Sequence, residues 1–337
     1  MKKRLIFLAQ LTIGIGLIVL IVRRMQAKGD LGKLAEALRT AADNWPFLAL
    51  GFACFALCFL LCSWRWNTLL KAQGLRISGG RVVVLYFIGH FFNSLIPGAT
   101  GGDFVKAYYA SKESSHKKAE IVATVFIDRI TGLISMIGMM LVIMTIRFRF
   151  FMAHRETKVA MIFNLALLAG AVCALGILLR RDLLERWKVF NLFGKKGRIV
   201  EVVRRVYDAF HVCLSSPDVF VKTIALSMVN QIMFVLCSCF LGTALGIKLS
   251  FWDYMTVVPT IAAVTCIPIT PSGLGTREGA TIYLFLVFGV SQASAFMLSI
   301  LVDCTLLLWG GIGGVIYLIY SYNAGRVAHN ESEVLAS

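Results

Sequence analysis

The sequence predicts an all-α, polytopic helical membrane protein with about six full spans and two Gly/Pro-broken, re-entrant-type hairpins that form a candidate inverted repeat. Three observations predict it. The 337 residues are 58% hydrophobic and 15% charged, with a mean hydropathy of +0.78, whereas soluble domains carry roughly 45–50% apolar and about 25% charged residues. Six apolar runs reach the length of about 20 residues that a hydrocarbon core about 30 Å thick demands. Two further apolar stretches are interrupted by Pro and Gly at matching places. These figures exclude a typical cytosolic enzyme, a disordered chain and a fibrous protein.

The six runs are 5–22, 45–64, 120–146, 159–179, 219–246 and 292–320. The first follows Met1-Lys2-Lys3-Arg4 and closes on Arg23-Arg24 with no small-residue cleavage site, so it reads as a retained span and not a signal peptide. Between the first two runs, Leu31, Leu34, Ala35 and Leu38 have helical spacing and suit a helix lying in the membrane interface. The broken stretches are 82–96, which ends at Pro97-Gly98, and 254–289, which contains Pro259, Pro268, Pro271, Gly273 and Gly275. Everything from 1 to 325 forms one integral membrane domain, with 326–337 as a short tail. The loop 180–222 holds ten Lys and Arg residues and is therefore expected on the cytoplasmic side. If each broken hairpin returns to the side it entered from, both termini are cytoplasmic and the two hairpins insert from opposite faces.

The formal charge of +16 sits between apolar spans instead of covering a solvated surface, which points to anionic lipid and away from nucleic acid. The nine cysteines have no metal-ligand spacing and lie almost entirely in apolar runs. Cys54, Cys58 and Cys62 recur at i, i+4 and i+8 and read as a packing stripe. No nucleotide loop, metal motif or nucleophile elbow is present. The expectation is a protein without cofactor, metal or enzymatic activity.

The breaks carry the functional reading. Ile96-Pro97 is followed by Gly102 and then Lys106; Ile267-Pro268 is followed at the same spacings by Gly273 and Arg277. Non-helical backbone at membrane depth exposes N–H and C=O groups that protein, water or a ligand must satisfy, and paired broken segments in two halves mark transporter sites. Glycines Gly101, Gly102, Gly273 and Gly275 expose N–H groups at helix starts, and a base follows one turn later, which suits a phosphate. Asn93, Asp103, Asp128, Arg129, Glu278 and Asp303 are the other polar groups assigned to the site. Charge inside a membrane needs a partner, and the candidates are Arg129 with Asp103, and Asp303 with Arg277 or Lys106. His90 suits a hydrogen-bonded core residue, and Asn230 and Gln231 suit contacts between helices.

Three segments taken together, Asn93 to Tyr108, Asp128-Arg129-Ile130-Thr131-Gly132, and Pro271 to Gly279, resemble the signatures of the lysylphosphatidylglycerol synthase transmembrane, or flippase-like, family. The resemblance covers about 5–320. It implies movement of lipid between leaflets of a bacterial or archaeal cytoplasmic membrane. The soluble aminoacyltransferase of some members has no counterpart in this sequence. Two positions depart from the pattern: Lys106 replaces a common arginine, giving up a bidentate grip on phosphate, and Asp128 replaces a common glutamate. The expected partner is an anionic phospholipid or polyprenyl-linked lipid. The rival expectation is a non-transporting accessory that recruits a glycosyltransferase or lipid-modifying enzyme; headgroup, energy source, direction and oligomeric state stay open.

Overall fold

A computed structural model describes residues 2–336 apart from 28, 30, 96–100, 114–116, 180–215, 268–269 and 271–272. Pro97, Gly98, Pro268, Pro271 and most of the basic 180–222 loop thus lie outside the described residues. Among the described residues the protein is α-helical with no strand. The helices are α1 (Lys2–Ala27), α2 (Leu31–Asp43), α3 (Trp45–Ala72), α4 (Gly79–Leu95), α5 (Gly101–Glu113), α6 (Lys118–Ile146), α7 (Phe148–Ala153), α8 (Arg155–Leu179), α9 (Pro217–Ala244), α10 (Phe251–Cys266), α11 (Thr276–Phe285) and α12 (Gln292–Ala336). A 3₁₀ turn at Leu286–Phe288 follows α11.

Six long helices occupy the six apolar runs. Among the described residues, Trp45–Ala72, Lys118–Ile146, Pro217–Ala244 and Gln292–Tyr322 are long and apolar enough to cross a membrane. Large apolar side chains such as Ile146, Ile162, Leu307 and Leu318 are exposed on long helices. In water such a surface would be an aggregation hazard; in lipid it is the expected exterior. α2 forms as predicted: Leu38 and Ala35 are exposed, while Ala37 and Ala41 are buried against the protein with Leu34 packed beside them. α12 continues as one helix through the predicted tail.

The two broken stretches become two helix–break–helix units, α4–α5 and α10–α11, each preceded by a 28-residue helix, α3 or α9. The repeat extends well beyond the breaks. α3 leads into Gly74-Leu75-Arg76-Ile77-Ser78 and α9 into Gly246-Ile247-Lys248-Leu249-Ser250, 172 residues further on. Both glycines are left-handed, φ 69° and 72°. Leu75 N–H donates to the Leu70 carbonyl at 3.0 Å and Ile247 N–H to the Gly242 carbonyl at 2.9 Å, the same 6→1 closure of a helix end. Leu75 and Ile247 are both buried.

Side-chain contacts fix the relation between the halves. Gly51 packs on Leu241, the Cys58 thiol reaches the Asn230 carbonyl and the Arg65 guanidinium reaches Ser227, so α3 and α9 run antiparallel. α4 packs on α12 while α10 packs on α6. The ends of these two pairs match: Arg81 hydrogen-bonds Tyr320 at 3.0 Å, and Arg147 pairs with Asp253 at 2.7 Å. Arg81 and Asp253 are again 172 residues apart. Corresponding helices that run in opposite directions are what an inverted repeat requires.

Candidate functional site: two charged breaks

α5 is held against α4 by a close backbone approach. A Cβ on Gly102 would overlap the Gly89 carbonyl oxygen, and it would lie 2.6 Å from the Asn93 backbone nitrogen. The Asn93 amide oxygen accepts from Gly102 N–H at 2.8 Å, filling one of the donors that a helix start leaves unpaired. Asn93, Gly101 and Gly102 therefore build the break itself. The next turn of α5 carries Asp103 and Lys106 inward.

These meet α6 and α3 in a buried charge cluster. Arg65 pairs with Asp128 at 2.7 Å and donates to the Ser227 hydroxyl at 2.9 Å. Lys106 Nζ lies 3.7 Å from Asp128 and 3.6 Å from Asp103, and Arg129 pairs with Asp103 at 2.7 Å. Lys106 is also capped by aromatic faces, with Trp66 at 4.4 Å and Tyr86 at 4.6 Å to the ring centroids, a favourable setting for a desolvated cation. The Trp66 indole N–H donates to Thr124 at 3.1 Å, which fixes that ring. Three cations and two carboxylates leave the cluster one formal positive charge in excess. Lys106 supplies charge from behind a closed wall, at 3% side-chain exposure, whereas Arg129 is 51% exposed.

The second break is built differently. Gly273 and Gly275 take left-handed backbone, φ 80° and 82°, where L side chains are strained. Gly273 sits against Thr265, which occupies the place that Asn93 has beside Gly102. The Glu278 carboxylate turns back to accept from Gly275 N–H, the side-chain half of a capping box. Its other oxygen is buried and has no hydrogen-bond partner. Arg277 pairs with Asp303 of α12, and Glu278 adds its field to the same guanidinium. Arg277, Asp303 and Glu278 together leave one formal negative charge in excess.

Cys266, exposed at the end of α10, lies within electrostatic reach of Arg129 from the first half and Arg277 from the second. The structure thus joins Asn93, Gly101, Gly102, Asp103, Lys106, Asp128 and Arg129 into one assembly, and Gly273, Gly275, Arg277, Glu278 and Asp303 into another. The pairs Arg129–Asp103 and Arg277–Asp303 form as anticipated. Arg65 belongs to the site although the sequence reading passed over it. His90 is a core residue, bonded to the Leu306 carbonyl at 3.2 Å with its ring on Phe59. Among the described residues no group of His, Cys, Asp and Glu suits a metal ion.

The chain is similar to archaeal proteins described as UPF0104 membrane proteins. One from Pyrococcus horikoshii is 28% identical over 292 residues, covering 81% of this chain and 86% of that protein. One from Methanothermobacter thermautotrophicus is 27% identical over 307 residues, covering 85% and 89%. No solved structure matches. The model of the family described as lysylphosphatidylglycerol synthase TM region matches residues 7–314, nearly all of the membrane-embedded chain including both breaks, and the protein is therefore a member of that family.

Proposed function

We propose that the protein translocates an anionic lipid, a phospholipid or a lipid-linked precursor, between the leaflets of a prokaryotic cytoplasmic membrane. The observation that carries this reading is the buried cluster with one excess positive charge, whose half-exposed member is Arg129. Burying an ion is costly unless it is compensated. A lipid phosphate arriving beside Arg129 would neutralise the excess and receive the planar donors that suit its oxygens. Lys106 strengthens the field without touching the ligand, and Asp103 and Asp128 hold the bases in place. Rocking of the two inverted halves around this point would expose the headgroup to each leaflet in turn. The protein needs no cofactor for this, performs no covalent chemistry, and has membrane lipid as its partner.

The test is leaflet exchange of headgroup-labelled anionic lipid in vesicles containing the purified protein. Arg129→Ala is expected to cut exchange at least about tenfold, the loss of a charge-assisted hydrogen bond, with Arg129→Lys intermediate. Arg277→Ala should also cut it. Wild-type rates in both alanine variants, with the protein folded by gel filtration, would remove the assignment. Exchange that appears only when a membrane enzyme is added would favour the accessory role.

A further inference from the structure

Glu278 is a buried ionisable group that the headgroup site does not use. Its residue exposure is 0%. One carboxylate oxygen accepts from Gly275 N–H at 2.6 Å. The other, Oε1, has almost no accessible surface and no hydrogen-bond partner among the described residues. An ionised carboxylate accepts at both oxygens, so half of this one's capacity is unmet where burial penalises charge most. The fold does not need a carboxylate there. In the register set by Gly102/Gly273 and Lys106/Arg277, the position matching Glu278 is Ala107, which is buried in an apolar cluster. At the first break the N–H of the helix start is met by a neutral group, the Asn93 amide oxygen. A glutamine at 278 would accept from Gly275 N–H in the same way. What a glutamate adds is a charge that a proton can cancel.

The surrounding charges leave that proton a clear effect. On α11 itself the other ionisable groups are Arg277 and the exposed Tyr283. From α12, Asp303 pairs with Arg277, and Cys304 is exposed. From α10, Cys266 is exposed, Tyr254 lies on Phe285 at the last residue of α11, and Asp253 is engaged by Arg147 at the far end of its helix. Arg23 and Arg24 of α1 and Arg155, Lys158 and Cys173 of α8 are exposed, and Glu156 is half-buried in the first turn of α8. Asp303 already balances Arg277, so an ionised Glu278 gives the group one negative charge and a protonated Glu278 makes it neutral. Space selects the ligand. An oxygen with almost no accessible surface admits neither water nor a metal ion with its several oxygen ligands, whereas a proton needs no volume.

We infer that Glu278 is a proton-binding site that couples lipid movement to the pH difference across the membrane. The inference rests on the translocation reading for the lipid, and it supplies that reading with an energy source. A proton from water on one face converts the carboxylate to the neutral acid, one proton and one lipid phosphate cross together, and the proton leaves to water on the other face; no other bond is made or broken. Ionisable carboxylates at membrane depth serve as proton relays in transporters. A neutral acid is also a weaker acceptor than a carboxylate, so protonation loosens the hold on Gly275 N–H and frees the start of α11 to move. The net charge carried is zero, and the membrane potential then does no work on the anionic headgroup.

Two measurements on the purified full-length protein test this. In the first, vesicles carry phosphatidylethanolamine labelled on its nitrogen, a lipid with one net negative charge, and a pH difference is imposed with the membrane potential clamped at zero. The label is expected to accumulate in the leaflet facing the alkaline side, approaching about tenfold per pH unit, the limit for one proton per lipid. In the second, infrared difference spectra between acid and alkaline pH, which need no transport, are expected to show a carboxylic acid C=O band that is missing from Glu278→Gln, a variant that keeps an acceptor for Gly275 N–H. Lipid exchange that ignores the pH difference overturns the coupling. A band unchanged in Glu278→Gln places the proton elsewhere and overturns the site. If the variant does not fold, the leaflet distribution in the wild type decides. If the wild type moves no lipid, translocation falls, and the infrared band alone decides whether Glu278 binds the proton.

Discussion

Asp128→Ala is expected to be the most damaging single substitution, destabilising the protein by about 3–5 kcal/mol, the cost of leaving buried charge uncompensated. Asp128 is the carboxylate that Arg65 and Lys106 share, and all three are buried. Its removal leaves Arg65, among the described residues, with the Ser227 hydroxyl as its hydrogen-bond partner and raises the excess charge of the cluster from one to two. The check is the thermal unfolding midpoint of the detergent-purified variant, together with its yield as a monodisperse peak. Arg65→Met on the Asp128→Ala background should recover part of the loss, because the pair would then be replaced by apolar volume instead of being broken. A double variant no more stable than Asp128→Ala would show that the two residues do not act as a unit.

Gly102→Ala should have the second largest effect on folding, at the upper end of the roughly 1–3 kcal/mol range typical of overpacking. The obstruction is backbone, the Gly89 carbonyl and the Asn93 nitrogen, so no side chain can swing aside. α5 would have to move away from α4, breaking the Asn93 to Gly102 hydrogen bond and displacing Asp103 and Lys106 with it. Loss of stability and of lipid exchange should therefore appear together. Gly279→Ala is the control, since a Cβ there meets nothing within 4 Å. Equal stability of the two variants would contradict the close approach of α4 and α5.

The sequence alone revealed a large part of this architecture, for identifiable reasons. Length and apolarity set the long helices, because the bilayer admits few alternatives. The cost of charge at membrane depth predicted that Arg129 would find Asp103 and that Asp303 would find Arg277 or Lys106; the structure pairs it with Arg277. Arg65 was missed because the apolar run ends at Trp64, so the arginine looked like a flank; the helix continues to Ala72 and carries Arg65 into the interior. The closed wall around Lys106 was not legible, since Trp66, Tyr86 and Asp128 come from three helices distant in sequence. The full extent of the repeat was present in the five-residue segments that begin at Gly74 and Gly246. It becomes recognisable as a repeat only once the helix ends and their left-handed glycines are seen to match.

The most direct test of headgroup placement between the two breaks is photo-crosslinking in vesicles, using an anionic lipid with a photoreactive headgroup and locating the adducts by peptide mass spectrometry. Adducts on the peptides that carry Cys266, Arg129 and the start of α11, reduced by excess unlabelled anionic lipid, are the expected result. Adducts confined to the outer, lipid-facing surfaces of α6, α8 and α12, and unaffected by competitor, would contradict it.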